Sequence, residues 1–273
     1  MTVSSESAII TRLRAAGCVF AEDEARLLLS EAPTHDELAD MVQRRTSGLP
    51  LEQVLGWAQF CGLRIRLAPG VFVPRRRTQF LVRQAAALVR PGPVVVDLCC
   101  GSGAVGAALS ASLRDIVLHA ADLDPVAVAC ARGNLPAGAE VHRGDLYQAL
   151  PHRLRGTIGL LTVNAPYVPS DDIAMLPPEA RAHEPRTALD GGADGLDVLR
   201  EVGVQAVRWL APGGHVIVEA GEQQALQLAE VFARSGLIPR TASSADLNAT
   251  VVIGTRPAAG APEHPAPRGI ELN

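Results

Sequence analysis

VVVDLCCGSGAVGAAL, residues 94–109, is the stretch whose reading decides the fold. Its first five residues are an apolar run of strand length ending around one acid, Asp97. Glycines at 101, 103 and 106 then make a turn, and small apolar residues open a helix. A buried strand, a Gly-rich turn and a helix form the first unit of a nucleotide-binding α/β domain. The glycines let the backbone approach a ligand and let the next helix pack close. Taken alone, G-S-G-A-V-G also fits the dinucleotide fingerprint, so NAD and S-adenosylmethionine are both open at this point.

Working outward, the same alternation continues. The strand IVLHAAD (116–122) ends in Asp122, about twenty residues on, where a carboxylate can accept from ribose hydroxyls. A helix begins at Pro125 behind Asp124. The strand-like AEVH (139–142), the strand TIGLLTV (157–163), a long loop, the helix DGLDVLREVGVQAVRWL (194–210), the strand HVIVEA (215–220), the helix EQQALQLAEVFARSG (222–236) and a last strand ATVVIG (249–254) follow. The pattern predicts a doubly wound, mostly parallel α/β domain. Upstream, SSESAIITRLRAAG, AEDEARLLLSEA and THDELADMVQRR read as short helices, the last opening on Thr34 and Glu37 in capping-box spacing. Leu63, Ile65 and Leu67 then alternate with arginines after the turn signal FCG. The expected organisation is a helical substrate-recognition domain over 1–49, a β-hairpin linker over 50–75, a catalytic domain over 76–256 and a disordered tail over 257–273, too rich in Pro, Ala and Gly to pack.

Composition excludes several chemistries. All 25 basic residues are arginine, so neither a Walker phosphate loop nor Schiff-base catalysis has its lysine. A net charge of −4 argues against a protein built to grip phosphate backbones, and no direct nucleic-acid binding is expected. No stretch reaches membrane-spanning length and the start lacks a basic leader, which reads as a soluble, cytoplasmic protein. The five cysteines, at 18, 61, 99, 100 and 130, contain no C-x-x-C pair, so disulfides and zinc are not expected. Cys18, Cys61 and Cys130 read as small buried apolar residues. The histidines at 119, 142, 152, 183 and 215 show no metal spacing.

The rest of the nucleotide pattern separates the two cofactors. Asp97 lies four residues before Gly101, as expected of an acid that anchors the amino acid end of S-adenosylmethionine. GDL (144–146) after the third strand places Asp145 and Leu146 for adenine contacts. The turn VNAPYVPS (163–170) has no counterpart in the dehydrogenase fingerprint. The candidate cofactor residues are Asp97, Cys99, Cys100, Gly101, Ser102, Gly103, Asp122, Asp145, Leu146 and Asn164. Capping or turn formation is the structural alternative for the acids.

Several motifs in one order carry a resemblance: RRTSGLPLEQVLGWAQFCGLRIRLAPGVFVPR, DLCCGSGAVG, ADLDPVAVACARGNL, GDLYQAL, VNAPYVP, EPRTALDGGADGLDVLR and LAPGGHVIVEAGEQQ. The chain resembles the PrmC/HemK glutamine-amide methyltransferases from its helical N-terminus to about residue 256. The resemblance implies a class I methyltransferase fold, S-adenosylmethionine as cofactor, and a glutamine side-chain amide in a protein, such as a release factor or ribosomal protein, as acceptor. Three departures stand out. Cys99 replaces the first glycine of D-L-G-x-G-S-G, PRPETE becomes PRRRTQ (74–79), which loses the acids and brings in Arg76 and Arg77, and NPPY becomes NAPY. The chain looks like a member of the related subgroup with a small residue in place of the first proline.

That likeness gives VNAPYVPS a chemical reading. An amide nitrogen is a poor nucleophile because its lone pair is delocalised into the carbonyl. Asn164 would accept one N–H through its side chain and Ala165 the other through its backbone carbonyl, with Pro166 holding Ala165 extended. Tyr167 would stack on the amide and face the sulfonium. Asn164, Ala165, Pro166 and Tyr167 are thus the candidate substrate residues, Asn164 and Tyr167 the catalytic ones. Arg75, Arg76 and Arg77 read equally as a contact for an acidic or nucleic-acid partner and as a solvated charge run. Glu184 reads as a loop-ordering residue or as half of a salt bridge. Two other functions stay open: a nucleic-acid amino-group methyltransferase, and a cofactor-binding protein whose altered turn no longer catalyses.

Overall fold

Apolar residues three and four apart build the N-terminal helices α1 (Glu6–Ala15), α2 (Ala21–Glu31) and α3 (His35–Thr46). The computed structural model describes residues 5–89 and 92–258; most of the tail expected to be disordered lies outside them. Ser5 caps α1 by accepting from Ala8 N–H, and Thr34 caps α3 by accepting from Glu37 N–H. These helices enclose a small core of their own, with Ile9, Leu13, Leu28 and Val42 fully buried. Within this unit lies a buried ion pair. Arg45 of α3 donates to Glu24 of α2 from Nε at 2.6 Å and from Nη2 at 3.1 Å, and its Nη1 reaches Glu179, 134 residues further along the chain, at 2.6 Å.

The linker differs from expectation. Residues Leu51–Leu55 form a fifth-of-a-linker helix, α4, whose Val54 joins the N-terminal core. The hairpin occupies only β1 (Trp57–Phe60) and β2 (Leu63–Arg66). Its two-residue turn, Cys61 and Gly62, has φ of 49° and 80°, the double positive φ that matches the twist of paired strands. Phe60 and Ile65 bury themselves in the core of the following domain, and Asn134 brackets Arg66 with two 2.9 Å hydrogen bonds. The hairpin is thus packed into the large domain.

That domain runs α5 (Gln79–Leu88), β3 (Val94–Leu98), α6 (Ala104–Ser112), β4 (Val117–Asp122), α7 (Pro125–Asn134), β5 (Glu140–Arg143), β6 (Ile158–Val163), α8 (Pro178–His183), α9 (Asp197–Trp209), β7 (Leu210–Ala220), α10 (Glu222–Arg234), β8 (Ile238–Ser244) and β9 (Ala249–Thr255). The strands form one sheet in the order β5-β4-β3-β6-β7-β9-β8. The first five are parallel, and β9 lies antiparallel between β7 and β8. Helices α5, α6 and α7 cover one face and α9 and α10 the other, so the central strands are buried on both sides and read as apolar runs. The order reverses between β3 and β6, which opens a crevice at their carboxyl ends. No helix among the described residues is long and apolar enough to cross a membrane.

Strand β8 was not expected. Its sequence, IPRTASS, is polar and Ile238 is itself exposed, so nothing in its pattern marks a strand; pairing along β9 makes it one. Register also brings together side chains that look unrelated in sequence. His119 of β4 stands opposite Glu140 of β5, and His119 Nδ1 lies 3.3 Å from His142 Nε2. The ring centroids are 5.6 Å apart, so the two nitrogens point at each other. Burial lowers both pKa values, and the contact is that of a hydrogen bond between neutral rings.

Candidate active site

The loops after β3, β4, β5 and β6 surround a cleft of about 420 Å³ at the crevice. Phe60 of the hairpin, the segment 70–78 and residues 185–189 close its remaining side. Asp97, Cys99, Cys100, Gly101, Ser102, Asp122, Asp145, Leu146, Asn164, Ala165, Pro166 and Tyr167 all line it.

Asp97 is 1% exposed at the end of β3. Thr162 Oγ1 donates to its Oδ1 at 2.9 Å and Gly106 N–H to its Oδ2 at 3.1 Å. Burial outweighs these donors and pushes its carboxyl up to about 7. Asp122 at the end of β4 accepts from Gly101 N–H at 2.8 Å and from Asp124 N–H at 2.9 Å. It therefore forms the turn as well as lining the cleft, and each oxygen keeps a second lone pair for a ligand hydroxyl. Cys99 adopts φ 55°, the left-handed conformation that a glycine takes freely and that costs another residue about 1–2 kcal/mol. Burial raises the Cys99 and Cys100 thiols far above their ordinary range, which favours the neutral thiol at both positions.

Gly103 is the exception among the expected cofactor residues: it faces away from the cleft. A Cβ there would meet Ala131 Cβ at 3.1 Å and Leu135 Cγ at 3.2 Å on and beside α7, and its φ is 77°. Its glycine serves the approach of two helices. Gly103→Ala is expected to destabilise the protein by about 2 kcal/mol through positive φ and crowding, read as a lowered unfolding midpoint. Cofactor affinity of the folded protein should change little.

The turn after β6 carries Asn164, Ala165, Pro166 and Tyr167. Asn164 Nδ2 points to Thr78 Oγ1 at 3.4 Å, which turns Oδ1 away from Thr78. Among the described residues the carbonyl of Ala165 accepts no hydrogen bond. Tyr167 donates its hydroxyl to Glu219 Oε1 at 3.0 Å, and burial beside that carboxylate raises its pKa well above the ordinary value. Arg77 donates from Nε to the same oxygen at 2.9 Å and lies over the Tyr167 ring, 5.4 Å from its centre. One face of the ring is thereby covered. Glu219 Oε2 is buried without a partner among the described residues.

The loop that returns past the turn explains DGGADG (190–195). A Cβ on Gly191 would lie 2.8 Å from Pro166 O, and one on Gly195 2.2 Å from Tyr167 O; only glycine lets this backbone run against NAPY. Gln224 fastens the arrangement by donating to Tyr167 O and Asp194 O, both at 2.9 Å. Glu184 pairs with Arg75, both oxygens at 2.6 Å, and accepts from Val73 N–H. The salt bridge and the loop-ordering reading are one contact. Of the three arginines, Arg75 and Arg77 are ion-paired and Arg76 is exposed. Thr78 and Glu219 were missed in the sequence, although Glu219 carries the mark used for Asp97 and Asp122, an acid ending an apolar strand.

The cleft has the features a methyl donor of the sulfonium-nucleoside type requires. Asp97 is a buried acid without a cation, and a Cβ on Gly101 would meet nothing within 4 Å, leaving room for a ligand against the backbone. On this strand order the protein is a class I methyltransferase. Residues 62–169 match the methyltransferase small domain, and a methyltransferase from Pyrococcus furiosus shares the fold, with a TM-score of 0.54 and 16% identity over 72% of this chain and 90% of that one. The chain is 37% identical to the release factor glutamine methyltransferase of Streptomyces coelicolor over 77% of this chain and 76% of the relative. It is 36% identical to the 4-amino-L-phenylalanine/4-methylamino-L-phenylalanine methyltransferase of Streptomyces pristinaespiralis over 83% of this chain and 80% of the relative. It belongs to the release factor glutamine methyltransferase family. Its methyl donor is S-adenosylmethionine.

Proposed function

We propose that the cleft presents a glutamine side-chain amide, carried by a protein of the translation machinery such as a release factor, to the methyl donor, with Asn164 and Ala165 as the positioning acceptors. The family sets the reaction class as S-adenosylmethionine-dependent methylation of a glutamine amide in a protein. One observation carries the assignment of roles: Asn164 Nδ2 is turned to Thr78 while the Ala165 carbonyl is unbonded, so two acceptors lie side by side on the cleft wall.

Bound in the cleft, the cofactor supplies an electrophilic methyl group on a positively charged sulfur. Asn164 Oδ1 accepts one amide N–H and Ala165 O the other. Held by both, the amide nitrogen turns its lone pair out of conjugation and toward the methyl group. The turn supplies no general base and needs none, since the N–H becomes acidic once the nitrogen is methylated; the catalytic effect is orientation and preorganised hydrogen bonding. Tyr167, fixed by Glu219 and Arg77, packs its remaining face against the amide plane. Asp97 pairs with the cofactor's ammonium, Asp122 with ribose hydroxyls, and Asp145 and Leu146 flank the adenine. The helical unit at 1–49 reads the protein substrate.

Purified protein incubated with radiolabelled S-adenosylmethionine and a lysate of its own cells should place label in a band that protease removes and nuclease leaves, and mass spectrometry should find the methyl group on a glutamine. Label removed by nuclease would overturn the proposal.

Asp97 gives a second expectation. With its carboxyl near 7, the apoprotein holds a proton that the cofactor's ammonium must displace. Affinity should therefore rise about tenfold per pH unit from pH 5 to 7 and fall again above roughly 8, where an α-amino group loses its charge. The sign for stability is opposite. A raised carboxyl pKa favours the folded apoprotein at low pH, and that contribution is lost as pH rises through 7. Asp97→Asn should flatten both profiles, measured by calorimetric titration and thermal unfolding.

A further inference from the structure

Arg77 has a role that the methylation of an amide does not require. Its guanidinium is fixed from two sides: Nε donates to Glu219 Oε1, whose side chain is 3% exposed, and the plane rests over Tyr167. Yet Arg77 is 43% exposed, lines the cleft, and has no partner for either Nη atom among the described residues. A guanidinium anchored through Nε still presents its terminal fork, whose two N–H groups match the two oxygens of a carboxylate. Anchoring also lowers the entropy that a free arginine would lose on binding. We propose that Arg77 is a carboxylate-binding subsite at the acceptor end of the cleft, selecting substrates that carry a carboxylate close to the nitrogen to be methylated. The inference rests on the proposed function, because it takes the NAPY turn as the acceptor position.

The placement favours the substrate's carboxylate over the cofactor's. The nucleotide loops follow β3 and β4, whereas Glu219 sits on β7, on the far side of β6. Adjacent strands are about 4.8 Å apart, which sets Arg77's anchor roughly 10 Å from Asp97's strand. Its stacking partner, Tyr167, belongs to the acceptor turn itself. A carboxylate could come from an acidic residue flanking a glutamine in a peptide or from the α-carboxylate of a free amino acid, and the chemistry at Arg77 is the same for both.

Binding of two probe pairs to the S-adenosylhomocysteine complex decides the matter and requires no methyl transfer. The first pair is the peptide Gly-Asp-Gln-Asp-Gly against Gly-Asn-Gln-Asn-Gly; the second is L-glutamine against L-glutamine amide. Wild-type protein should prefer the carboxylate member of at least one pair by about tenfold, the pair identifying the source. Arg77→Gln should bring that ratio close to one, and Arg77→Lys, which keeps a cation for Glu219 but loses the fork, should retain only part of it. Equal binding in the wild type, a ratio that survives Arg77→Gln, or no binding by any probe overturns the inference. So does an Arg77→Gln loss that falls on S-adenosylhomocysteine itself. Failure of the glutamine reading shows separately, as label on nucleic acid in the lysate experiment.

Discussion

Asn164→Ala should lower turnover by roughly 10²–10³, the scale of removing one preorganised hydrogen-bonding partner from a transition state, while cofactor affinity stays close to wild type. Among the described residues its one side-chain hydrogen bond is the 3.4 Å contact to Thr78, so its removal disturbs little besides the acceptor. Ala165→Pro should be tolerated, because proline keeps the carbonyl that acts and position 165 donates no backbone hydrogen bond that the ring would remove. Tyr167 is less forgiving than its ring alone suggests: Tyr167→Phe would leave Glu219, already with one unpaired oxygen, without one of its two donors. Single-turnover kinetics with labelled methyl donor, beside calorimetric titration, separates these effects. Wild-type turnover by Asn164→Ala would reduce the turn to a strand end.

The largest stability effect is expected at Arg45. Arg45→Ala should cost about 3–5 kcal/mol, because it strands Glu24 as a buried carboxylate without a partner. Glu179, half exposed, can turn to water and adds less. The double change Arg45→Met with Glu24→Leu should recover most of the loss, since apolar residues of similar volume leave neither a lone charge nor an unpaired polar group in the core. Denaturant titration of the wild type and the two variants checks the order. A loss under 1 kcal/mol in Arg45→Ala would show that the pair does not hold the helical unit together.

The parallel core was legible because each central strand is buried on both faces and so appears as an uninterrupted apolar run: VVVDL, VLHAAD and IGLLTV stand out without any knowledge of their neighbours. Strand β8 was not, because an edge strand with one exposed face owes its form to pairing with β9 and carries no composition of its own. The five-residue helix α4 is too short for periodicity to register. At the site, the acids and the NAPY turn were legible as residue types at strand ends. What sequence could not supply was company: that Asn164 leans on Thr78, 86 residues away, that Glu219 holds Tyr167 and Arg77 together, and that Gly103 faces a helix. Glycine reports that a side chain is unwelcome, and both a ligand and a neighbouring helix can be the reason.

Strand β9 lies between β7 and β8, and this has a consequence for how the chain emerges during synthesis. Strand β8 leaves the ribosome before the strand it pairs with, and until residue 255 is free β7 carries an open edge with Ile217 and Val218 along it. The parallel half can assemble as it is made, N-terminal part first, whereas the last three strands must wait and then close by insertion of the final one. Stalling translation within 238–249 should therefore give a nascent chain with an adhesive edge, a substrate for chaperones, and release of a few more residues should abolish that capture in a single step.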